Sequence, residues 1–193
     1  KDSLPLVKKI VESAKKVAEE VDAVAPGLRI HVGFHSSPEA SSRFAEVDSE
    51  KYGYSTVVYQ GSKKFPYYTD QPALPATRRI PLDKRLTIEG EIQGLIDGDS
   101  LLPLDISRNV NPNELSRLSK RIVDEGTRHF TYTRTVSSCL NCHTTEARHR
   151  TRCENCGSDR IMNLGRCSGR ILPLEMWPPA RIRDLDRTVE YEA

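Results

Sequence analysis

The first 138 residues of this 193-residue chain hold no cysteine. All five cysteines come later, at Cys139, Cys142, Cys153, Cys156 and Cys167. A disulfide framework is therefore excluded for most of the chain, which is long enough to bury a core without such staples. An excess of one charge is lacking too. The 29 Lys and Arg residues stand against 27 Asp and Glu, a net charge of +2, too small to imply a nucleic-acid or membrane partner. No apolar run approaches the length needed to cross a bilayer. The opening Lys1-Asp2-Ser3-Leu4-Pro5 is not a signal peptide and does not begin with Met, so a processed, trimmed or partial cytoplasmic chain is expected. Neither an internal repeat nor a low-complexity tract is present. With 37% apolar and 29% charged residues, the composition is that of a globular protein of one domain or one and a half.

Periodicity places the elements. Val7, Ile10, Val11, Ala14, Val17, Ala18 and Val21 recur at helical spacing over residues 4–24, and Gly27 is a stop. Leu28, Ile30, Val32 and Phe34 alternate with Arg29, His31 and Gly33, which predicts a strand over 28–34. Ser36-Ser37-Pro38-Glu39 opens a short helix through Arg43, Phe44 and Val47. The stretch from Lys63 to Pro81, with four prolines and the aromatics Phe65, Tyr67 and Tyr68, reads as an ordered surface loop. A helix follows from Asp83 to about Ile92, then a short strand over 101–106, with Pro103 arguing against a central position. The next helix has the clearest start: Asn111 caps, Pro112 takes the first position and Glu114 completes a capping box. Leu115, Leu118 and Ile122 form its stripe and Gly126 ends it. His129 to Val136 alternates threonines with larger β-formers and predicts one strand. This order implies an α/β architecture.

After Val136 the texture changes. Cys139 and Cys142 are two residues apart, as are Cys153 and Cys156, with ten residues between the pairs. That spacing lets two knuckles place four thiolates tetrahedrally around one Zn²⁺ in a closed, structural site, with iron in a rubredoxin-like site as the chemical alternative. Gly157 permits the tight turn of the second knuckle. Arg148, Arg150, Arg152 and Arg160, with His143 and His149, stand ready to offset the thiolate charge. Local salt bridging is the preferred reading of these arginines over nucleic-acid binding.

Arg166-Cys167-Ser168-Gly169, soon after a four-cysteine module and ahead of Trp177, resembles the glycyl radical loop of the class III anaerobic ribonucleoside-triphosphate reductases. The resemblance reaches back through Phe130-Thr131-Tyr132-Thr133, Asp97-Gly98-Asp99-Ser100, Pro66-Tyr67-Tyr68-Thr69-Asp70, and Ser37-Pro38-Glu39-Ala40 with Arg43-Phe44-Ala45. It departs from the family where Arg170 stands in place of an aromatic residue after the glycine. Asp159, Glu175 and Asp184 are candidate partners for that arginine.

The resemblance implies the late part of a ten-stranded α/β barrel over residues 1–136, a zinc ribbon over 137–160, and a glycyl radical loop with its tail over 161–193. It implies that Gly169 stores a radical generated by an S-adenosylmethionine iron–sulfur activase. The implied activity is reduction of ribonucleotides to deoxyribonucleotides, for DNA replication. The implied partners are the activase, the ribonucleotide and an N-terminal reductase portion or subunit, because no cysteine of the α/β part is left to become the substrate-attacking thiyl radical. The chain alone is therefore expected to be inactive. The second reading is a non-catalytic zinc-ribbon adaptor derived from a reductase fragment, binding protein or nucleic acid.

Overall fold

The computed structural model describes residues 4–25, 27–69, 71–107, 110–167 and 169–192. Asp70 of the tyrosine motif, Ser168 of the glycine loop and the opening Lys1, Asp2 and Ser3 lie outside the described residues. Helix α1 (Leu4–Val24) matches its periodicity. Its stripe is only half used, however: Val11 and Ala18 are buried, while Ile10 and Val17 remain 60% and 59% exposed.

The strand predicted over 28–34 does not form. Its backbone donors are taken by other partners. The Ile30 N–H donates to Asp22 Oδ1 (3.1 Å) and the Val32 N–H to Asp97 Oδ1 (3.0 Å). The Phe34 N–H donates to the Asp99 carbonyl (2.7 Å), and Gly98 N–H returns to that of Val32 (2.8 Å). The segment is thus pinned to the 97–99 turn rather than to a sheet. Two glycines make the crossing possible. A Cβ on Gly33 would come within 2.7 Å of the Asp99 carbonyl oxygen, and one on Gly98 within 2.9 Å of Val32.

Helix α2 (Pro38–Tyr52) is capped by the Ser37 side chain and runs beyond the short helix predicted there. It buries Ser41, Ala45 and Ser49, leaving Phe44 and Val47 exposed. The region read as a loop from Lys63 contains β2 (Phe65–Tyr67), which pairs with β1 (Gln60–Ser62), just before it, in an antiparallel hairpin. Pro66 is tolerated because a two-stranded hairpin has free edges. Small residues on α2 let this hairpin approach closely: the Tyr68 N–H donates to the Ser41 carbonyl (3.2 Å), and the Tyr68 hydroxyl to Asp48 Oδ2 (2.8 Å).

The core is a βαβ unit with a helix packed on it. Strands β3 (Leu102–Asp105) and β4 (Phe130–Thr133) pair in parallel, from Leu102 opposite Phe130 to Asp105 opposite Thr133. Helix α4 (Pro112–Asp124) connects them, and its capping box of Asn111 and Glu114 is formed as expected. Leu86 of α3 (Leu82–Gly94) packs with Leu102, Leu104, Leu118 and Ile122.

The single strand predicted over 129–136 is two. β4 ends at Thr133, and β5 (Val136–Cys139) begins a different sheet. That antiparallel sheet runs β6 (Thr145–Glu146), β5, β7 (Ile161–Cys167), β8 (Arg170–Pro173). After a 3₁₀ turn and the short helix α5 (Pro179–Asp184), the tail returns to the core. There Tyr191 bridges Ile106 in parallel, its N–H donating to the Asp105 carbonyl (2.8 Å). Among the described residues no helix is long and apolar enough to cross a membrane.

Gly90, inside α3, is where the helices meet: a Cβ there would collide with the Glu125 carbonyl oxygen at the end of α4. Gly90→Ala is expected to cost about 1–3 kcal/mol through overpacking, despite the better helix propensity of alanine. Denaturant unfolding of the two proteins checks this; equal midpoints would contradict it.

Candidate metal centre and glycine hairpin

The sulfurs of Cys139, Cys142, Cys153 and Cys156 all lie within 4.8 Å of one another. Cys139 and Cys156 approach to 3.6 Å, as do Cys142 and Cys153. Four sulfurs at ~2.3 Å from one Zn²⁺ would stand about 3.8 Å apart, so the residues fit a tetrahedral ion. The paired spacing seen in the sequence thus converges in space.

The two knuckles are near copies. In each, the residue after the second cysteine donates its N–H to the carbonyl of the first: His143 to Cys139 (3.0 Å) and Gly157 to Cys153 (2.9 Å). Both of these residues have positive φ, 59° and 71°. The asparagines cross over. Asn155 Nδ2 lies 3.6 Å from the Cys142 sulfur and Asn141 Nδ2 3.8 Å from that of Cys156. Each is thereby aimed at the other knuckle's thiolate. The signal for this was present in the sequence, since an asparagine precedes the second cysteine of both pairs.

Electrostatics also suit a cation. Hydrogen bonds from Thr144 and Asn155 pull Cys142 down to about 5. The N–H groups of Cys142 and Asn141 lower Cys139. Cys153 receives N–H groups from its own knuckle that favour its thiolate, yet burial and the neighbouring sulfurs push it up to about 11. Thiolates crowded this closely oppose one another's ionisation.

The arginines of the ribbon are mostly engaged locally. Arg148 and Arg150 each pair with both Glu146 and Glu154, which ties β6 to the second knuckle. Arg152 Nε donates to the Gly157 carbonyl (2.7 Å).

The glycine hairpin continues from this centre. Cys139 on β5 is paired with Ile161, the first residue of β7. β7 leads towards Gly169, which adopts φ +82°, a left-handed conformation that favours glycine. Its Cα faces the α/β part, since a Cβ there would lie 3.6 Å from Leu101 Cδ2, just before β3. Arg166 Nη1 donates to the Gly169 carbonyl (2.6 Å). Halfway along β7, Gly165 gives way to Trp177, whose indole would lie 2.7 Å from a Cβ. Of the acids weighed for Arg170, Asp184 is buried and engaged by the Tyr67 hydroxyl (2.8 Å) and Arg187 (3.0 Å). Arg170 itself is exposed.

The tip opens onto a cleft of about 1730 Å³ whose lining includes Gln71, Ser100, Leu101, Asp105, Thr133 and Gly169. Burial pushes the Asp105 carboxyl up to about 6, with Glu190 adding to the rise and Thr133 and Arg85 opposing it.

A family model described as anaerobic ribonucleoside-triphosphate reductase matches residues 1–191. No curated protein matches the chain. A solved structure described as anaerobic ribonucleotide reductase superposes with a TM-score of 0.75 at 20% identity, covering 97% of this chain and 29% of its own. The anaerobic ribonucleotide reductase from Thermotoga maritima in complex with dATP and CTP gives 0.69 at 20% identity, covering 92% and 27%. The same enzyme with MES in the active site gives 0.68 at 19%, covering 88% and 26%. The chain therefore spans under a third of the length of these structures.

Two outcomes follow from the geometry. Elemental analysis of the purified protein is expected to give close to one zinc per chain. Cys153→Ser should release it and unfold the C-terminal sheet, because metal binding contributes directly to folding; a metal-free protein that unfolds cooperatively with the sheet intact would contradict this. For Asp105, the folded carboxyl titrates above its unfolded value of 3.8. The native state then holds the proton more tightly, and stability falls as pH rises from 3.8 to about 6, by on the order of 3 kcal/mol. Asp105→Asn should remove that slope; parallel pH–stability curves for the two proteins would rule it out.

Proposed function

The chain belongs to the anaerobic ribonucleoside-triphosphate reductase family, and on that premise we propose that it is the C-terminal part or subunit of such an enzyme. Residues 1–136 supply late elements of an α/β barrel, 137–160 a zinc ribbon, and 161–193 the glycyl radical loop and tail. The observation that carries this reading is the position of Gly169. It sits at the tip of a hairpin that starts from the four-cysteine centre and ends against Leu101 at the cleft.

In this reading, the activase would use its iron–sulfur cluster and S-adenosylmethionine to supply a carbon radical. This radical takes one hydrogen atom from the Gly169 Cα, and the unpaired electron stays there. It is stabilised jointly by the adjacent amide nitrogen and carbonyl. To start turnover, Gly169 takes a hydrogen atom back from a thiol, leaving a thiyl radical to attack the ribonucleotide. This chain's cysteines cannot easily provide that thiol: four form the metal centre, and Cys167 is buried within the hairpin. The thiol belongs to the N-terminal portion. Helix α1, with Leu6, Ile10, Val17 and Val24 exposed, offers an apolar face against which further protein would pack. Zn²⁺, held by Cys139, Cys142, Cys153 and Cys156, has a positioning role only, since four thiolates leave no open coordination site.

The competing adaptor reading is favoured by one feature, the exposed Arg170 after the glycine. Anaerobic activation in the presence of the N-terminal portion separates the two. The reductase reading expects a glycyl doublet in the electron paramagnetic resonance spectrum. Exposure to air should then cut the backbone at Gly169, releasing a fragment of about Gly169 to Ala193 visible by mass spectrometry. Gly169→Ala should abolish both signal and cut. The isolated chain should show no turnover on any of the four ribonucleotides. An uncut, signal-free wild type with competent activase and partner would leave the adaptor reading standing.

A further inference from the structure

Resting on the radical reading of Gly169, the geometry points to Arg166 as a positioning residue that tunes the radical through the Gly169 carbonyl. Its guanidinium donates to that oxygen at 2.6 Å, across the turn from β7 to β8. Donation to a main-chain carbonyl is shared with Arg85, Arg128, Arg134 and Arg152, which bind those of Leu74 and Pro75, Gln93, Ile106 and Gly157; what sets Arg166 apart is which carbonyl it binds. Arg166 directs its charge at a main-chain carbonyl, and it does so at the one glycine whose carbonyl matters for a Cα radical.

The chemistry follows from how such a radical is stabilised. The amide nitrogen donates electron density into the half-filled Cα orbital and the carbonyl withdraws it. A cation hydrogen-bonded to the carbonyl oxygen strengthens the withdrawing half, and charge-assisted hydrogen bonds are short and strong. Spin density moves from Cα toward the carbonyl, and the radical becomes longer-lived. The bond also restrains the peptide plane that must align with the Cα orbital. Loss of hydrogen flattens Cα, and the long arginine stem allows the guanidinium to follow the oxygen as it turns.

Arg166 is anchored well enough to act this way. It sits on β7, paired with Ile171 of β8. The strand beneath it is fixed by the contact of Gly165 with Trp177. It lines the same cleft as Gly169.

The test uses the full chain with its N-terminal portion and activase, grown with glycine carrying ¹³C at the carbonyl carbon. Arg166→Gln should lower the ¹³C hyperfine coupling of the radical and shorten its anaerobic lifetime by about tenfold or more, the scale of losing one hydrogen bond to a charged group. Arg166→Lys, which keeps a cationic donor, should restore most of both. These readouts are taken on the radical that forms, so weaker activation alone does not move them. Zinc content and unfolding midpoint serve as controls for the hairpin. Coupling and lifetime unchanged in Arg166→Gln, with a normal doublet in the wild type, would overturn the role of Arg166 and leave the radical reading intact. Absence of the doublet in the wild type would overturn both.

Discussion

Four cysteine sulfurs within 4.8 Å of one another form the constraint on which the C-terminal third depends. As thiolates they repel, and a divalent cation bound between them would turn that repulsion into attraction. The consequence reaches beyond the knuckles because Cys139 is part of a strand. Its pairing with Ile161 sets the register of β7 on β5, and β7 in turn sets that of β8, down to Cys167 opposite Arg170. A centre at one end of a sheet thereby dictates where the turn at the other end stands. The ribbon and the glycine hairpin share this sheet.

The far end of the segment is tied down separately. Arg181 stacks over Tyr67 at 4.2 Å and Arg183 over Phe65 at 4.3 Å, so α5 lies on the β1–β2 hairpin. Tyr191 then joins β3, where its hydroxyl accepts from Arg85 Nε (2.8 Å). Arg85 is buried with Glu89 and also donates to the Leu74 and Pro75 carbonyls. A buried ion pair is a poor source of net stability. Here it specifies connection, since one guanidinium gathers α3, the proline-rich segment and the tail. The glycine turn is thus suspended between two fixed points, the sulfur centre before it and the tail after it.

Much of this was legible in the sequence, for identifiable reasons. The paired cysteine spacing encodes the centre directly, and the Asn111 and Glu114 capping box is a local signal that tertiary contacts did not override. What failed was non-local. Residues 28–34 alternate like a strand, but Asp97, Gly98 and Asp99, more than sixty residues on, take their hydrogen bonds. Alternation reports which residues face which way, not whether another strand is there to pair with. Residues 129–136 also alternate throughout, yet the chain leaves one sheet at Thr133 and enters another at Val136. The β1–β2 hairpin was hidden because Pro66 and the surrounding prolines read as loop. The contact of Gly169 with Leu101 and the donation from Arg166 have no sequence signature of their own, since both depend on how the two parts meet.

The exposed Gly169 and the half-used stripe of α1 suit a part that works against more protein than it contains. The central claim is that the sulfur centre holds the glycine turn in place, and amide hydrogen exchange tests it most directly. Exchange is measured on the zinc-loaded protein and again after chelation. The account predicts that protection disappears along β5, β7 and β8 up to Arg170, while β3, α4 and β4 keep theirs. Full protection of β7 and β8 in the metal-free protein would contradict it.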